Sequence, residues 1–415
     1  MNTLINAKLI LIGLTLFFLI AIFMFFNRIP YGDDYDILHS IIKAYETNDV
    51  LVCLEELCKP HMEHRILLIK LFGFLQMKLF GSISLILWSI YPIISFLGIL
   101  YFLLRIMKDY KINNYVSLSM VIFFFSLSNY NNIFWAMASI NNIPILMLFI
   151  LLYALKSQSK YSLVMAFVSI IIASMSIYTW VILIFSGIFF LTISKDYLKL
   201  FLFVIFSFLI YTTFHYNYTP PSNVSYLERF TSLETFVDYI FSVLLLLGSI
   251  AHNYYAALIL GLLFTILFLF KYKWYLKHPM ILTILCTLIL ICILAPIKRF
   301  EGPQYFLGSR YKIYSILIFI LLVISFFEDY KRILTSQFIQ GTILCCSILY
   351  FSITNFIVFQ KMSVRKNKLE LSYLNVETNK EVFLYDDDDL TNNMAVRKIY
   401  AELLIYWKSK NYINH

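Results

Sequence analysis

Residues 9–26 read LILIGLTLFFLIAIFMFF, and residues 29–36, which follow almost at once, read IPYGDDYD. The first run contains no charged residue and is long enough to cross the hydrocarbon core of a bilayer as an α-helix. Three carboxylates, Asp33, Asp34 and Asp36, therefore come within a few residues of the membrane surface. A transmembrane helix followed directly by an acidic loop sets the fold class and indicates where the chemistry lies.

The composition of the whole chain is that of a polytopic membrane protein. Of 415 residues, 61% are hydrophobic and only 14% are charged, and the mean hydropathy is +0.79. No soluble domain can bury that much apolar surface. The net charge of +9 does not indicate a nucleic-acid partner, because many lysines and arginines lie in short loops between apolar runs, where they orient helices. The lipid bilayer is thus the first expected partner.

Apolar runs and loop charges predict an all-α fold with about 11 transmembrane helices, within a range of 10 to 12. The run from 236 to 270 is ambiguous, since it predicts either two short spans or an interfacial or re-entrant helix followed by one span. The basic tract 271–277 favours the second, because cytoplasmic loops carry an excess of positive charge. The other predicted spans are about 9–27, 82–104, 116–136, 142–155, 161–178, 180–194, 200–214, 280–296, 313–327 and 338–359.

Two regions follow from this map. Residues 1–360 form a transmembrane domain with interfacial helices in its first outer loop, 28–81, and residues 361–415 form a small polar tail. Within the tail, 381–385 predicts a short strand, and 394–407 predicts an amphipathic helix with Ile399, Leu403 and Tyr406 on one side. A segment of this size cannot build its own core, so we expect it to pack on the membrane domain.

The first outer loop also contains Cys53 and Cys58. An extracytoplasmic location would allow a disulfide between them. The other four cysteines lie in apolar runs and are interpreted as small packing residues.

The acidic cluster has two interpretations. Asp33 or Asp34 could cap a helix that continues through Leu38, with early negative charge favoured by the helix dipole. Capping needs one carboxylate, however, and three within four positions exceed that need. The alternative is catalysis, with Asp33, Asp34 or Asp36 as a general base. A hard cation such as Mg²⁺ or Mn²⁺ between Asp33 and Asp34 is a further option.

Two other polar groups lie in predicted outer loops, one at residues 60–65 of the first loop and one at residues 298–312 of a late loop. Residues 60–65, PHMEHR, predict the first turn of a helix with His61, His64 and Arg65 on neighbouring positions, and 66–80 predict an amphipathic helix along the interface. The His and Glu spacing does not match the zinc-protease motif. Arginine binds phosphate through a bidentate fork, although a solvated surface or lipid-headgroup contact would also explain such residues. The candidate substrate-binding residues are Glu63, His64, Arg65, Arg299, Arg310 and Tyr311.

The order of these features resembles the GT-C class of membrane glycosyltransferases. The resemblance covers the chain to about residue 360 and rests on layout together with Gly32–Asp36 (GDDYD), Glu63–Arg65 (EHR) and Ser309–Tyr311 (SRY). It implies a polyprenyl-phosphate-linked sugar as donor, an Asp of the first loop as catalytic base, and a late-loop Arg on the donor phosphate. The tail lacks the sequon-recognition motif expected of oligosaccharyltransferases, so asparagine glycosylation is not expected.

We therefore expect a glycosyltransferase that modifies a cell-surface glycan, such as an O-antigen or capsule, at the outer face of the cytoplasmic membrane. The lipid phosphate is already a good leaving group, so the protein must mainly deprotonate the acceptor hydroxyl and stabilise phosphate charge. Attack opposite the phosphate inverts the anomeric centre.

Two alternatives stay open at this stage. A transporter or flippase of lipid-linked glycans needs polar residues at mid-membrane depth, whereas the ionisable residues here concentrate at span ends and in loops. A glycan polymerase also needs outer arginines but has less use for an acidic cluster directly after the first span.

Overall fold

A computed structural model describes residues 2–61, 64, 66–177, 179–215, 232–298, 303–329, 336–384 and 394–414. Within these residues the fold is helical apart from one pair of two-residue strands. Seven of the described helices are long and apolar enough to cross a membrane, and four shorter apolar helices accompany them. The prediction of an all-α, multi-pass membrane protein is confirmed, and the number of crossings stays a prediction.

The elements are numbered in chain order. The α-helices are α1 (Asn2–Phe25), α2 (Asp34–Glu46), α3 (Val50–Cys58), α4 (Leu67–Phe80), α5 (Ile90–Asp109), α6 (Asn114–Phe124), α7 (Asn131–Phe134), α8 (Ile143–Lys156), α9 (Ser162–Ser174), α10 (Trp180–Ile193), α11 (Tyr197–His215), α12 (Leu233–Leu247), α13 (Tyr254–Phe270), α14 (Tyr272–Lys277), α15 (Pro279–Lys298), α16 (Lys312–Asp329), α17 (Gln337–Asn379) and α18 (Met394–Ser409). The strands are β1 (Ile83–Ser84) and β2 (Ile413–Asn414), which run parallel.

The turn after α3 differs from the prediction. Lys59 has an extended backbone (ψ 126°), because the residue before a proline is driven out of the helical region. His61 and His64 then exchange two backbone hydrogen bonds, of 2.8 and 2.9 Å. Pro60 therefore ends one helix rather than starting the next, and the predicted helical turn through His61 and His64 is wrong.

The predicted helix over 66–80 is confirmed as α4. A buried lysine, Lys70, joins this helix to α3. The Lys70 ammonium donates to the carbonyls of Glu56 and Lys59 at 3.2 and 2.8 Å. These carbonyls lie at the C-terminal end of α3, where backbone acceptors lack helical partners and positive charge is favoured. Burial lowers the pKa of Lys70 to about 8. The side chain thus stabilises the first loop instead of facing the interface.

Cys53 and Cys58 do not form the disulfide that the sequence allowed, and both are free thiols. They lie five positions apart on α3. That spacing corresponds to about 7.5 Å along a helix axis, which exceeds the usual separation of bridged Cα atoms.

The basic loops lie together at one end of the bundle. The Tyr110 hydroxyl is 3.0 Å from His278 Nδ1, and Lys199 Nζ donates to the Ser157 carbonyl at 3.1 Å. These contacts join the loops 105–113, 156–160, 195–199 and 271–278 in pairs, and one cavity is lined by all four. We call this end, defined by those four loops, the basic end.

The tail lies at the opposite end, on the first loop. Tyr400 of α18 stacks on Tyr35 of α2 with ring centroids 4.7 Å apart, and the Tyr406 hydroxyl donates to Glu46 at 2.6 Å. We call this end, comprising 28–84, 129–142, 303–311 and the tail, the acidic end. Both α1 and α17 lead into this end.

α17 is a single helix of 43 residues and extends well past the predicted span 338–359. The predicted domain boundary at residue 360 falls inside it. Hydropathy drops at this point, but 361–379 contain neither proline nor glycine, so nothing in the local sequence stops the helix. The helix continues for about 28 Å beyond the boundary.

The tail partly matches its prediction. The amphipathic helix is confirmed as α18, but Ala401, Leu404 and Trp407 form its buried side, whereas Ile399 is 55% exposed. The predicted strand over 381–385 is not a strand in its described part, 381–384.

The ambiguous run from 236 to 270 forms α12 and α13 around a turn at 248–253. The Tyr239 hydroxyl donates to the Ile293 carbonyl at 3.2 Å, and the Leu247 carbonyl accepts from Ser315 at 2.6 Å. Both partners lie in the halves of α15 and α16 that face the acidic end, while α13 runs on to the basic end. This geometry fits an interfacial or re-entrant helix followed by one span.

Two glycines allow α12 and α13 to approach closely. A Cβ atom on Gly248 would collide with the carbonyl oxygen of Ala257, and one on Gly261 would collide with that of Leu244. Small residues at such positions let backbones pack closely in membranes, where association depends on contact rather than on the hydrophobic effect.

We expect Gly261→Ala to lower the melting temperature of the purified protein, since overpacking typically costs about 1–3 kcal/mol. Gly341→Ala is the matched control, because a Cβ at Gly341 meets nothing within 4 Å. A helix-interior alanine in open space should be neutral or stabilising. Equal melting temperatures for the two variants would contradict the close α12–α13 packing.

The two ends can be tested by labelling single cysteines in a cysteine-free background. Cys58, Lys368→Cys and Lys160→Cys are all exposed positions. In sealed vesicles of one orientation, a membrane-impermeant maleimide should label Cys58 and Lys368→Cys to the same extent. It should label Lys160→Cys only in vesicles of the opposite orientation to those in which it labels the other two. Labelling of Lys368→Cys together with Lys160→Cys would contradict the shared location of the first loop and the tail.

Candidate active site

Asp34 is fully buried where α2 begins. One carboxylate oxygen accepts from the Tyr31 N–H at 3.0 Å, and the other accepts from the Met137 N–H at 2.8 Å. Burial raises the pKa of Asp34 to about 8, against the opposing effect of these two donors. A buried carboxyl group with both oxygens engaged cannot reach a substrate hydroxyl. Asp34 therefore holds the loop, and its roles as base or cation ligand stay predictions.

The chain reaches this position through a sharp turn. Gly32 has a φ of 57°, in the left-handed region that side chains with a Cβ rarely adopt. The Asp34 N–H returns to the Tyr31 carbonyl at 3.2 Å. This turn sends neighbouring carboxylates in different directions.

Asp33 occupies the N-cap position of α2, yet its side chain makes no capping hydrogen bond. Its Oδ2 lies 3.7 Å from His61 Nε2, and the side chain is 20% exposed. The same imidazole places Nδ1 at 3.8 Å from Asp36 Oδ2, and the Asp36 side chain is 49% exposed. Asp33, His61 and Asp36 form a group that we call the acidic triad, and it remains accessible at the acidic end.

The tail helix contributes to the acidic triad. The Tyr400 hydroxyl donates to Asp36 Oδ1 at 2.9 Å. Burial and the neighbouring Asp36 carboxylate raise the pKa of Tyr400 above its ordinary value, so the phenol keeps its proton and acts as the donor. The tail thus holds one oxygen of Asp36 through the Tyr400 hydroxyl. Asp33 is the carboxylate of the acidic triad that lies beside the turn at Gly32.

A polar hairpin, residues 129–142, connects the first loop to the late loop. On one side, the Trp135 indole N–H donates to the Tyr31 carbonyl at 2.8 Å, next to the Met137–Asp34 bond. On the other side, Asn132 Nδ2 donates to the Arg310 carbonyl at 2.8 Å. The two loops that carry the predicted site residues therefore bind the same short segment.

The spacing within the hairpin limits how far apart those loops can be. Met137, which holds Asp34, and Asn132, which holds Arg310, are five positions apart in the sequence. Even a fully extended chain covers at most about 18 Å over that distance. Both loops therefore lie at the same end of the bundle, closer together than the thickness of a hydrocarbon core, about 30 Å.

Arg310 lies half-buried on an aromatic platform. Its guanidinium carbon is 4.9 Å from the centre of the Tyr305 ring and 5.4 Å from that of Tyr311. Stacked arginines keep their N–H fork in a fixed plane. No carboxylate of the described residues pairs with this guanidinium. Tyr311, predicted to bind substrate, thus contacts Arg310 directly.

A second cation lies next to Arg310. Lys312 is only 3% exposed, and its Nζ lies 2.7 Å from Nδ1 of His252. When the protonated amine donates to Nδ1, the neutral imidazole carries its proton on Nε2. His252 lies in the turn between α12 and α13, and the sequence alone assigned it no role.

Arg365 is a further buried cation that the sequence did not single out. It lies on α17, is 2% exposed, and donates to Asn131 Oδ1 at 2.9 Å. Its guanidinium carbon also lies 4.6 Å from the centre of the Tyr31 ring. The last long helix is thereby attached both to the polar hairpin and to the acidic turn.

Some site residues that were not predicted carry a signal in the sequence, and others carry none. The asparagines at 129, 131, 132, 141 and 142 stand out in an apolar region and could have indicated the polar hairpin. His61 could not be paired with Asp33 from the sequence, because the turn that brings them together lies between separate helices. Of the predicted residues, Glu63, Arg65 and Arg299 lie outside the described residues.

The donor set does not fit the cation considered for Asp33 and Asp34. Asp34 engages both oxygens with backbone N–H groups, so the pair offers no two adjacent free carboxylates. Within the described part of the chain, no three His, Cys, Asp or Glu side chains are grouped to hold a metal ion. We therefore derive no step through Mg²⁺ or Mn²⁺.

Comparison of the chain with protein-family models, with curated proteins and with solved structures found no match. Its function must be inferred from the geometry of the acidic end, where the acidic triad and the Arg310 platform lie.

Stability should depend on pH through Asp34. Its pKa in the folded protein, about 8, lies above the ordinary value near 3.9, so folding favours the protonated form. This contribution is complete below about pH 4 and is lost as the pH rises towards 8. In Asp34→Asn the group cannot titrate. We expect the melting temperature of the wild type, relative to that of Asp34→Asn, to fall between pH 5 and pH 8.

The matched control is Asp36→Asn, which removes an exposed carboxylate two positions away and leaves Asp34 in place. It should retain the wild-type pH dependence. A constant difference between wild type and Asp34→Asn over this pH range would contradict the buried, proton-binding state of Asp34.

Proposed function

We propose that this protein is a membrane glycosyltransferase that moves a sugar from a polyprenyl-phosphate donor to a glycan acceptor at the acidic end. The observation that carries the proposal is the polar hairpin, which binds the Asp33–Asp34 loop and the Arg310 loop within less than a bilayer thickness. Transfer from a lipid-linked donor requires a base and a phosphate ligand at one membrane face. Both kinds of residue are present there.

In this proposal Asp33 is the general base. Its carboxylate takes the proton from the acceptor hydroxyl, and the acceptor oxygen forms a bond to the anomeric carbon. The bond from that carbon to the phosphate oxygen breaks, its electron pair leaves with the polyprenyl phosphate, and the anomeric centre is inverted. A positioned base typically contributes about 10²–10⁴-fold. His61, 3.7 Å away, orients Asp33 and can share the proton.

The leaving phosphate would bind at the cationic part of the acidic end. Arg310 offers a planar fork supported by Tyr305 and Tyr311, and the Lys312–His252 pair offers a second set of donors. Such groups act on charge that develops as the bond breaks, and losing one costs on the order of 10²–10³ in rate. The lipid tail of the donor would remain in the bilayer beside the helices.

The positive-inside rule places the basic end in the cytoplasm. The acidic end would then face the outside of the cytoplasmic membrane, where a cell-surface glycan can be presented as acceptor.

The distribution of buried charge favours transfer over translocation. A flippase path needs ionisable groups at mid-membrane depth. In the described residues the buried charged side chains belong to loops or to helix ends and extensions: Asp34, Lys70, Lys271, Lys312 and Arg365.

The test is sugar transfer by the purified protein in liposomes, with a panel of radiolabelled polyprenyl-phosphate sugars. Asp33→Asn should lower turnover by about 10²–10⁴-fold, and Arg310→Gln by about 10²–10³-fold, with unchanged membrane insertion. Glu55→Gln, an exposed carboxylate on α3, is the control and should keep full activity.

Wild-type activity in both Asp33→Asn and Arg310→Gln would overturn the assignment of these residues. Movement of the lipid across the bilayer without cleavage of its sugar–phosphate bond would show that the protein is a flippase and not a transferase.

A further inference from the structure

A cavity of about 370 Å³ lies at the basic end, far from the acidic triad. Its volume falls within the range of small-molecule sites, about 300–1,000 Å³. The ends of α8, α10 and α14 and the start of α15 line it. It therefore lies where four helices reach the membrane surface, and the proposed glycosyl transfer makes no use of it.

The rim of this cavity is cationic. Lys156 ends α8, Lys277 ends α14, and both side chains are exposed at the rim. Neither forms an ion pair within the described part of the chain. The one carboxylate in the lining, Asp196, is paired with Lys199 at 3.2 Å. Two positive charges thus remain for a ligand.

Part of the cavity lining is apolar, and so is the exposed surface of α11 beside it. Phe190, Leu191 and Met280 line the wall. Next to Lys199, the side chains of Tyr197 and Leu198 are 66% and 73% exposed, on a helix that is itself largely exposed. An apolar surface of this kind faces lipid, so the cavity adjoins the acyl-chain region.

Lysines at helix C-termini can be explained in part by the helix dipole. The dipole, however, does not account for a cavity that both lysines line, nor for apolar lining beside an exposed apolar helix. A ligand with an anionic head and apolar chains accounts for both.

We propose that this cavity binds the phosphate headgroup of an anionic phospholipid from the leaflet at the basic end. The phosphodiester lies between Lys156 and Lys277, and the acyl chains follow the exposed face of α11. By contacting α8, α11 and the α14–α15 turn together, the lipid stabilises the basic end. This site is independent of the glycosyl-transfer proposal, because it shares no residue with the acidic end.

The test uses the full-length protein in neutral detergent, with bound lipid measured by native mass spectrometry. Phosphatidylglycerol should bind more tightly than phosphatidylcholine. A lysine near a membrane surface contributes roughly fivefold to binding of anionic lipid, so Lys156→Gln with Lys277→Gln should weaken phosphatidylglycerol binding about tenfold or more. Binding of phosphatidylcholine should not change.

The matched control is Lys108→Gln with Lys160→Gln, which removes the same charge from exposed positions at the same end but outside the cavity. It should retain phosphatidylglycerol binding. An equal loss in the control would show general charge attraction and overturn the site, as would unchanged binding in the cavity variant. If soluble glycerophosphoglycerol raised the melting temperature as much as phosphatidylglycerol does, the ligand of the cavity would be a free phosphodiester and not a lipid.

Discussion

The acidic end depends on one buried carboxylate. Asp34 has no contact with water, so both of its oxygens must find donors inside the protein, because an unsatisfied buried polar group costs about 1–3 kcal/mol. The donors come from two places, the adjacent turn at Tyr31 and the distant hairpin at Met137. Satisfying this side chain therefore fixes the exit of α1 against the centre of the bundle. Asp33, its neighbour, is then presented outward by a backbone that cannot easily move.

The charges of the chain are divided between two ends with different environments. At the acidic end, Arg310 contacts aromatic rings and Lys312 contacts an imidazole, and within the described residues neither pairs with a carboxylate. At the basic end, Lys199 pairs with Asp196, while Lys156 and Lys277 form no ion pair with the described residues. Between the ends, packed apolar side chains fill the bundle. On the two proposals made above, each end would bind a phosphate-bearing lipid, one from each leaflet.

Hydropathy and loop charge were sufficient to predict the helical membrane fold and the helix over 66–80 in the first loop. They could not distinguish Asp33 from Asp34, since adjacent residues of one type differ only through the turn at Gly32 and the contact with Met137. They also misjudged Pro60, because a proline can end one helix or begin the next. Arg365 was missed since hydropathy treats the polar half of α17 as a tail, although helix propensity continues unbroken across it.

The length of α17 couples the bilayer to the site. A continuous helix of 43 residues measures about 65 Å, roughly twice the hydrocarbon thickness. Its outer part carries Arg365 against the polar hairpin. When the membrane-embedded part of a rigid helix tilts, the part outside the membrane tilts with it. A tilt of 10° moves a point 30 Å along the helix by about 5 Å. A change in membrane thickness that altered this inclination would therefore displace the outer loops.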